Sequence, residues 1–88
     1  MNEESALIKM YSADWCHDCK AMLKFFEEEN VAYKVYHVDH DPQAVKQLMK
    51  LCDGKKIIPT LEIGNKVYIN PSIEFMQDIV NPLDNSQL

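Results

Sequence analysis

Two cysteines separated by two residues are the part of this sequence best suited to chemistry. Cys16-His17-Asp18-Cys19 stands where a predicted strand gives way to a predicted helix. Residues i and i+3 of a helix are neighbours, and a Cα separation of about 5 Å lies within the range of a disulfide bond. The spacing therefore predicts a pair of thiols that forms and breaks a disulfide.

The two thiols are predicted to be unequal. Cys16 falls at the helix N-terminus, where unpaired backbone N–H groups and the positive end of the helix dipole stabilise a thiolate. Cys19 falls on the apolar face of the same helix and should be shielded. We therefore expect Cys16 to be an exposed nucleophile and Cys19 to be the resolving thiol. His17 should be exposed, and its cation would favour the thiolate, although a solvated histidine without a role fits equally well.

A proline at the start of a core strand is the second unusual feature. Pro59, in Ile57-Ile58-Pro59-Thr60, is awkward there because it cannot donate to a strand ladder. The position becomes sensible if the Ile58–Pro59 peptide bond is cis and lies beside the dithiol. Ile58 would then have a free backbone with which to pair an extended substrate.

The remaining residues predict the elements that must position these groups. Alternating and helical apolar patterns indicate four strands and three helices in the order β-α-β-α-β-β-α. The strands are predicted at 6–11, 33–38, 58–63 and 66–69, and the helices at about 16–29, from Asp41-Pro42 to Gly54, and from Asn70-Pro71 to Pro82. The apolar faces of the helices are predicted to comprise Cys19, Met22, Leu23 and Phe26, then Val45, Leu48, Met49 and Cys52, then Ile73, Met76, Ile79 and Val80.

The connections between these elements predict an α/β fold. The first two strands are joined through a helix, so they should be parallel with a right-handed crossover. Gly64-Asn65 joins the last two strands as a tight antiparallel hairpin. We expect a four-stranded mixed sheet with helices on both faces, in one domain over 1–88 that has its core at about 5–80 and a polar tail at 81–88.

Composition excludes several classes of protein. The chain has 88 residues and a formal charge of −5, and all nine of its basic residues are Lys, which disfavours a nucleic-acid partner. Its apolar runs are far shorter than the roughly 20 residues of a membrane span. Acidic residues near the N-terminus and the absence of a long apolar stretch there argue against a signal peptide. Three cysteines do not suggest a secreted disulfide framework, so a reducing cytoplasm is expected.

Several motifs together resemble a known family. Tyr11 to Cys19, Ile58-Pro59-Thr60 and the Gly64-Asn65 hairpin make the chain similar to glutaredoxins of the thioredoxin superfamily over about residues 5–80. His40-Asp41-Pro42 and Asn70-Pro71-Ser72 resemble the mycoredoxin-like branch of that family. The resemblance implies that Cys16 attacks a disulfide, that Cys19 resolves it and that a cis proline lines the groove. The expected substrate- and thiol-binding residues are Trp15, His17, Lys56, Ile58, Pro59, Asn70 and Ser72.

The sequence departs from the usual glutathione-binding pattern of that family. Ala13 stands where a Lys is usual, and Asn70-Pro71-Ser72-Ile73 replace the usual Gly-Gly and Asp after the last strand. Lys56 does match a basic residue that pairs with the glycyl carboxylate of glutathione. We therefore expect weak glutathione binding that depends on Lys56, which leaves room for another small thiol or a protein substrate.

These features predict a thiol–disulfide oxidoreductase that reduces protein disulfides or small-thiol mixed disulfides. It would bind no cofactor, and glutathione, another small thiol or a flavin-dependent thioredoxin reductase would supply its electrons. Its partners would be disulfide-containing proteins and a small thiol, and a monomer is expected. One alternative is a dedicated electron donor to a reductase such as ribonucleotide reductase. The other is a non-enzymatic metal or iron–sulfur carrier bridging two chains through Cys16.

No metal site is expected, and this includes a zinc clip at Cys16 and Cys19. A structural zinc ion needs four ligands, and the sequence has no second Cys-x-x-Cys pair. His37 and His40 are interpreted as strand-end and loop residues. Cys52 completes an apolar helix stripe and is expected to be a core thiol.

Overall fold

A four-stranded sheet and three helices make up the protein in a computed structural model, which describes residues 8–85. The elements are β1 Ile8–Ser12, α1 His17–Glu28, β2 Tyr33–His37, α2 Pro42–Leu51, β3 Thr60–Ile63, β4 Lys66–Ile69 and α3 Ile73–Asn85. Among these residues, no helix combines the length and apolar character that crossing a membrane requires.

The sheet has the predicted mixed topology. Its strand order is β2-β1-β3-β4, with β1 parallel to β2 and antiparallel to β3, and with β3 and β4 paired as a hairpin. Ser12 lies opposite His37 in the parallel pair, and Tyr11 lies opposite Thr60 in the antiparallel pair. The C-terminal ends of β1 and β2 therefore meet the N-terminal end of β3 at one edge of the sheet.

Helices cover both faces of the sheet, as predicted. On one face, Met10 and Leu61 pack with residues of α1 and α3, among them Phe26 and Val80. On the other face, Tyr11 packs with residues of the α2 segment. Side chains alternate along β1, so neighbouring residues of that strand contribute to different clusters. This burial of apolar surface on both faces stabilises the sheet whose strand β1 leads into the dithiol.

Local hydrogen bonds define the end of α1 and the start of α2, and α2 starts at Asp41-Pro42 as predicted. Asn30 has a left-handed backbone (φ 60°), and Val31 N–H donates to Phe26 O over 3.2 Å, which is a Schellman-type ending of α1. Asp41 caps α2 by accepting a hydrogen bond from Gln43 N–H at 3.0 Å. Pro42 occupies the first turn, where its missing N–H costs no helical hydrogen bond.

The buried face of α2 differs from the sequence prediction. Met49 was expected on the buried face, but it is 36% exposed, whereas Ala44 is buried. The buried face of α2 therefore contains Ala44 and Leu48, which lie one turn apart, and excludes Met49. The left-handed residue directly after the C-cap is Asp53 (φ 58°), and Gly54 follows it with φ 88° and donates to Met49 O over 2.7 Å.

The last helix also begins and ends differently from the prediction. Its cap is Ser72, whose Oγ accepts a hydrogen bond from Phe75 N–H at 3.0 Å, whereas Asn70-Pro71 precede the helix. The helix continues through Pro82 to Asn85. Residues 6–7 of the first predicted strand and residues 86–88 of the predicted tail lie outside the described residues.

Candidate active site

The candidate site lies at the edge of the sheet where three strand ends meet. Cys16 follows β1, Asp39 follows β2 and Pro59 precedes β3. Asn70, which follows β4, is joined to this edge because its backbone N–H donates to Pro59 O over 2.8 Å. The topology thus brings together residues that are more than 50 positions apart in the chain, from Cys16 to Asn70.

Cys16 is the N-cap residue of α1. Its backbone is extended (φ −89°, ψ 110°), and its Sγ accepts a hydrogen bond from Cys19 N–H at 3.2 Å. The sulfur therefore takes the place that a Ser or Asp oxygen usually takes at a helix start. A negative charge on this sulfur would be stabilised both by the N–H group and by the helix dipole.

Burial distinguishes the two thiols less than the sequence predicted. Cys16 is 7% exposed and Cys19 is 0% exposed, so the expectation of a well-exposed Cys16 was wrong. The reason is that the Cys16 side chain turns back over the first helical turn, toward Cys19 N–H. Cys16 nevertheless remains the more accessible of the two thiols, which are both free, as is Cys52.

Cys19 is shielded as predicted. Burial raises the pKa of the Cys19 thiol from 9.0 to about 11, and its hydrogen bond with Cys16 acts in the same direction. Contacts with the Ser12 hydroxyl and the Ala13 backbone oppose this pKa shift only partly. At neutral pH Cys19 is therefore held as a neutral thiol beside Cys16.

The Ile58–Pro59 peptide bond is cis, as the sequence predicted. Pro59 is fully buried and directly precedes Thr60, the first paired residue of β3. Ile58 is half-buried and lies one residue further from the strand. The two residues line different clefts at the same edge.

The first of these clefts, the Lys56 cleft, has a volume of about 330 Å³. It is lined by Trp15, Val38, Asp39, Lys56 and Ile58. Trp15 is 69% exposed, so it presents a broad aromatic surface next to Cys16 instead of covering the core. The cleft therefore combines an apolar wall with one ammonium group and one carboxylate.

The second cleft, the Ser72 cleft, has a volume of about 490 Å³. Its lining residues are Asp18, Ala21, Met22, Pro59, Asn70, Pro71, Ser72, Ile73 and Glu74. It lies at the start of α3, where the helix dipole favours an anion, but two carboxylates also face it. Asn70 is held in a left-handed backbone (φ 50°) at its rim.

The structure thus brings six of the seven expected binding residues to two adjacent clefts. Lys56 belongs to one cleft and Ser72 to the other, so the two are not part of a single pocket. His17 is exposed, as expected, but lines neither cleft. Sequence reasoning missed Asp18 and Asp39. Asp39 had a usable signal, because it follows a strand predicted to run parallel to the strand before Cys16.

Cys52 is buried, as expected of a core thiol. It is 3% exposed, and its Sγ lies 3.4 Å from the Oγ1 of Thr60. Thr60 also donates a hydrogen bond to Ile57 O over 2.6 Å. Cys52 therefore packs behind the segment that contains Pro59, on the face of the sheet covered by α2.

Comparisons with known proteins agree with this geometry. The Glutaredoxin family model matches residues 8–68. Mycoredoxin 1 of Corynebacterium glutamicum is 32% identical over 58 residues, which are 66% of this chain and 71% of that protein. The fold is similar to that of the thioredoxin-like protein BC3987, with a TM-score of 0.74, 29% identity, and coverage of 82% of this chain and 97% of that one.

A glutaredoxin from Archaeoglobus fulgidus has the same fold, with a TM-score of 0.73 at 21% identity and coverage of 85% of this chain and 86% of that one. The family model covers most of the described chain, including both cysteines and the cis proline. The chain belongs to the glutaredoxin family and is a glutaredoxin-like thiol oxidoreductase of the thioredoxin superfamily.

Proposed function

We propose that this protein reduces disulfides through the Cys16–Cys19 dithiol, acting on protein disulfides or on mixed disulfides with a small thiol. The observation that carries the proposal is the position of Cys16 Sγ at the start of α1, where it accepts the N–H of Cys19. This position stabilises a thiolate, and a thiolate is the species that attacks disulfides.

The reaction proceeds in two exchanges. The Cys16 thiolate attacks one sulfur of the substrate disulfide, a Cys16–substrate disulfide forms, and the other substrate sulfur leaves as a thiolate that takes up a proton. Cys19 then loses its proton and attacks Cys16 Sγ, which releases the second substrate sulfur as a thiol. Two electrons pass from the dithiol to the substrate, and a Cys16–Cys19 disulfide remains.

The clefts on this edge suggest how the substrate is held. Ile58 stands outside the strand pairing, and in the proposal its backbone N–H and C=O pair with an extended substrate. Lys56 attracts a carboxylate at one end of that substrate, while Trp15 contacts its apolar part. On the other side, the Ser72 hydroxyl and the N-terminus of α3 receive a polar group.

This arrangement favours glutathione only weakly. Asp18 and Glu74 line the Ser72 cleft and would repel an anionic end group, and Ala13 supplies no ammonium group near Cys16. A different small thiol or a protein cysteine is therefore the preferred partner in the proposal. The protein acts as a monomer in a reducing cytoplasm, binds no cofactor, and receives electrons from a small thiol or a flavin-dependent reductase.

The test is to oxidise the protein to its Cys16–Cys19 disulfide and to determine which reductant restores two free thiols. Glutathione, other small thiols, and a thioredoxin reductase with NADPH are compared on the same sample. Restoration by one of these, followed by catalytic reduction of a disulfide substrate, supports the proposal. Restoration by the reductase alone would instead favour a dedicated electron donor. A protein that none of them reduces, or that reduces no disulfide, would refute the assignment.

A further inference from the structure

Four side chains with metal-binding chemistry meet beside the dithiol without belonging to it, and the Asp39 side chain is the least exposed of them. Asp14 lies in the loop between β1 and α1, and His37, Asp39 and His40 lie at the end of β2 and in the loop that follows. The two segments are brought together by the parallel pairing of Ser12 with His37, and Val38 N–H donates to Ser12 O over 2.8 Å. We call these four residues the Asp/His cluster.

The donor atoms of the cluster are close to one another. Asp14 Oδ2 lies 2.8 Å from His40 Nε2, and Asp14 Oδ1 lies 3.7 Å from His37 Nδ1. Asp39 Oδ2 lies 3.7 Å from His40 Nε2 and accepts a hydrogen bond from Asp14 N–H at 2.9 Å. One donor atom each from Asp14, His37 and Asp39 fall within 4.8 Å of one another. The two histidine rings are 6.1 Å apart between centroids.

These separations suit a tetrahedral metal ion. Two ligand atoms that each lie about 2.1 Å from one zinc ion are about 3.4 Å from each other. The separations of 2.8, 3.7 and 3.7 Å bracket that value. Asp14, His37 and Asp39 form the group whose donor atoms all lie within 4.8 Å of one another, and His40 adjoins this group through Asp14 and Asp39. Two imidazoles and two carboxylates form a donor set that prefers zinc and similar transition-metal ions over magnesium.

We propose that the Asp/His cluster binds a divalent transition-metal ion of the zinc class. The histidines and Asp14 are accessible to such an ion, since their side chains are 51–65% exposed. Three of the four ligands stand within His37-Val38-Asp39-His40, and the fourth, Asp14, comes from the loop before Cys16. The ion therefore joins the loop that carries the nucleophile to the β2–α2 loop.

The site has a consequence for the neighbouring cleft. Cys16 N–H donates to Ala13 O over 3.1 Å, so the turn that contains Asp14 is directly linked to the nucleophile. Asp39 also lines the Lys56 cleft, so Asp39 and Lys56 contribute opposite charges to the same cleft. A bound cation offsets the negative charge of Asp14 and Asp39. It would therefore leave Lys56 more strongly attractive to an anionic substrate.

The test must first remove the competing thiol ligands, because Cys16 and Cys19 can themselves bind zinc. A full-length protein with Cys16→Ser, Cys19→Ser and Cys52→Ser is titrated with zinc chloride by calorimetry. NMR of the histidine rings is recorded in parallel, with His17 as an internal control outside the cluster. Two further variants of this protein are titrated in the same way. One carries Asp14→Asn, and the matched control carries Asp78→Asn at an exposed position of α3. Circular dichroism checks the fold of each variant.

The proposal expects one zinc ion per chain, shifts in the His37 and His40 ring signals, and unchanged His17 signals. Asp14→Asn should weaken zinc binding at least about tenfold, and Asp78→Asn should leave it unchanged. Magnesium should not shift the histidine signals. The proposal is overturned if folded protein binds no zinc below about 1 mM, if His17 responds as strongly as His37, or if Asp14→Asn has no effect. The cluster would then consist of ordinary surface ion pairs.

Discussion

Cys19 N–H donates a hydrogen bond to the Sγ of Cys16 at 3.2 Å, while the Cys19 side chain itself is fully buried. One residue therefore plays two parts, because its backbone N–H is bonded to the partner sulfur and its own sulfur is kept neutral by burial. Both effects follow from placing the first cysteine at the helix cap and the second on the apolar face one turn later.

The thiols should differ in their reaction with iodoacetamide. At pH 7 about one Cys19 in ten thousand is ionised, given a pKa of about 11. Cys16 should therefore be alkylated first, and Cys19 should react appreciably only as the pH approaches 11. Peptide mass spectrometry of the reduced Cys52→Ser protein measures both sites. Equal alkylation of Cys16 and Cys19 at every pH would contradict the assigned roles.

The raised pKa of Cys19 also predicts how stability depends on pH. The folded state holds this proton more tightly than the unfolded state, so the contribution is fully present below about pH 9. It is lost as the pH rises through about 11. Between pH 8 and 10.5, the reduced wild type should lose about 1–2 kcal/mol more unfolding free energy than Cys19→Ala.

Urea titration of both proteins at the two pH values provides the measurement. Burial also raises the pKa of Tyr11 to about 12, but this group is present in both proteins and cancels in the comparison. Identical pH profiles for wild type and Cys19→Ala would mean that Cys19 is not shielded in solution.

Lys56→Ala should impair the reduction of a glutathionylated peptide. An exposed charge pair contributes about 0.2–1 kcal/mol, so KM should rise up to about fivefold with little change in kcat. The matched control is Lys55→Ala, which removes the neighbouring exposed charge outside the cleft. Steady-state kinetics at low and high salt measure both variants. Turnover that ignores Lys56, or that responds equally to Lys55→Ala, would mean that the groove is misplaced.

Ser72→Ala should destabilise the protein by about 0.5–2 kcal/mol, because Phe75 N–H loses its capping partner. Ser72→Asp is the matched control, since it keeps a capping oxygen and should retain most of the stability. Chemical denaturation measures both. If Ser72→Ala is as stable as the wild type, the Ser72 hydroxyl does not cap α3.

Local sequence signals predicted most of the fold. Asp41-Pro42 marks the start of α2 through a hydrogen bond between near neighbours in the chain, so short-range reasoning identified it correctly. The strand order followed from crossover and hairpin rules. The start of α3 was predicted wrongly at Asn70-Pro71, because Ser72 supplies the capping oxygen and the helix begins at Ile73.

The candidate site was only partly predictable. The cysteine roles depend on helix geometry, which the spacing defines, but the low exposure of Cys16 depends on a side-chain rotation toward Cys19 N–H. The expected binding residues are divided between two clefts. This division depends on how the elements pack in the fold, which the spacing of residues in the sequence does not reveal. The meeting of Asp14 with His37 depends on the register of β1 and β2.

Trapping the intermediate tests the central claim most directly. A protein with Cys19→Ser is incubated with a glutathionylated peptide, and its adducts are located by non-reducing peptide mass spectrometry. Cys19→Ser removes the resolving sulfur, so a mixed disulfide should accumulate on Cys16, and Cys16→Ser should accumulate none. An adduct on Cys52 alone, or equal adducts on both variants, would contradict the role of Cys16 as the attacking thiol.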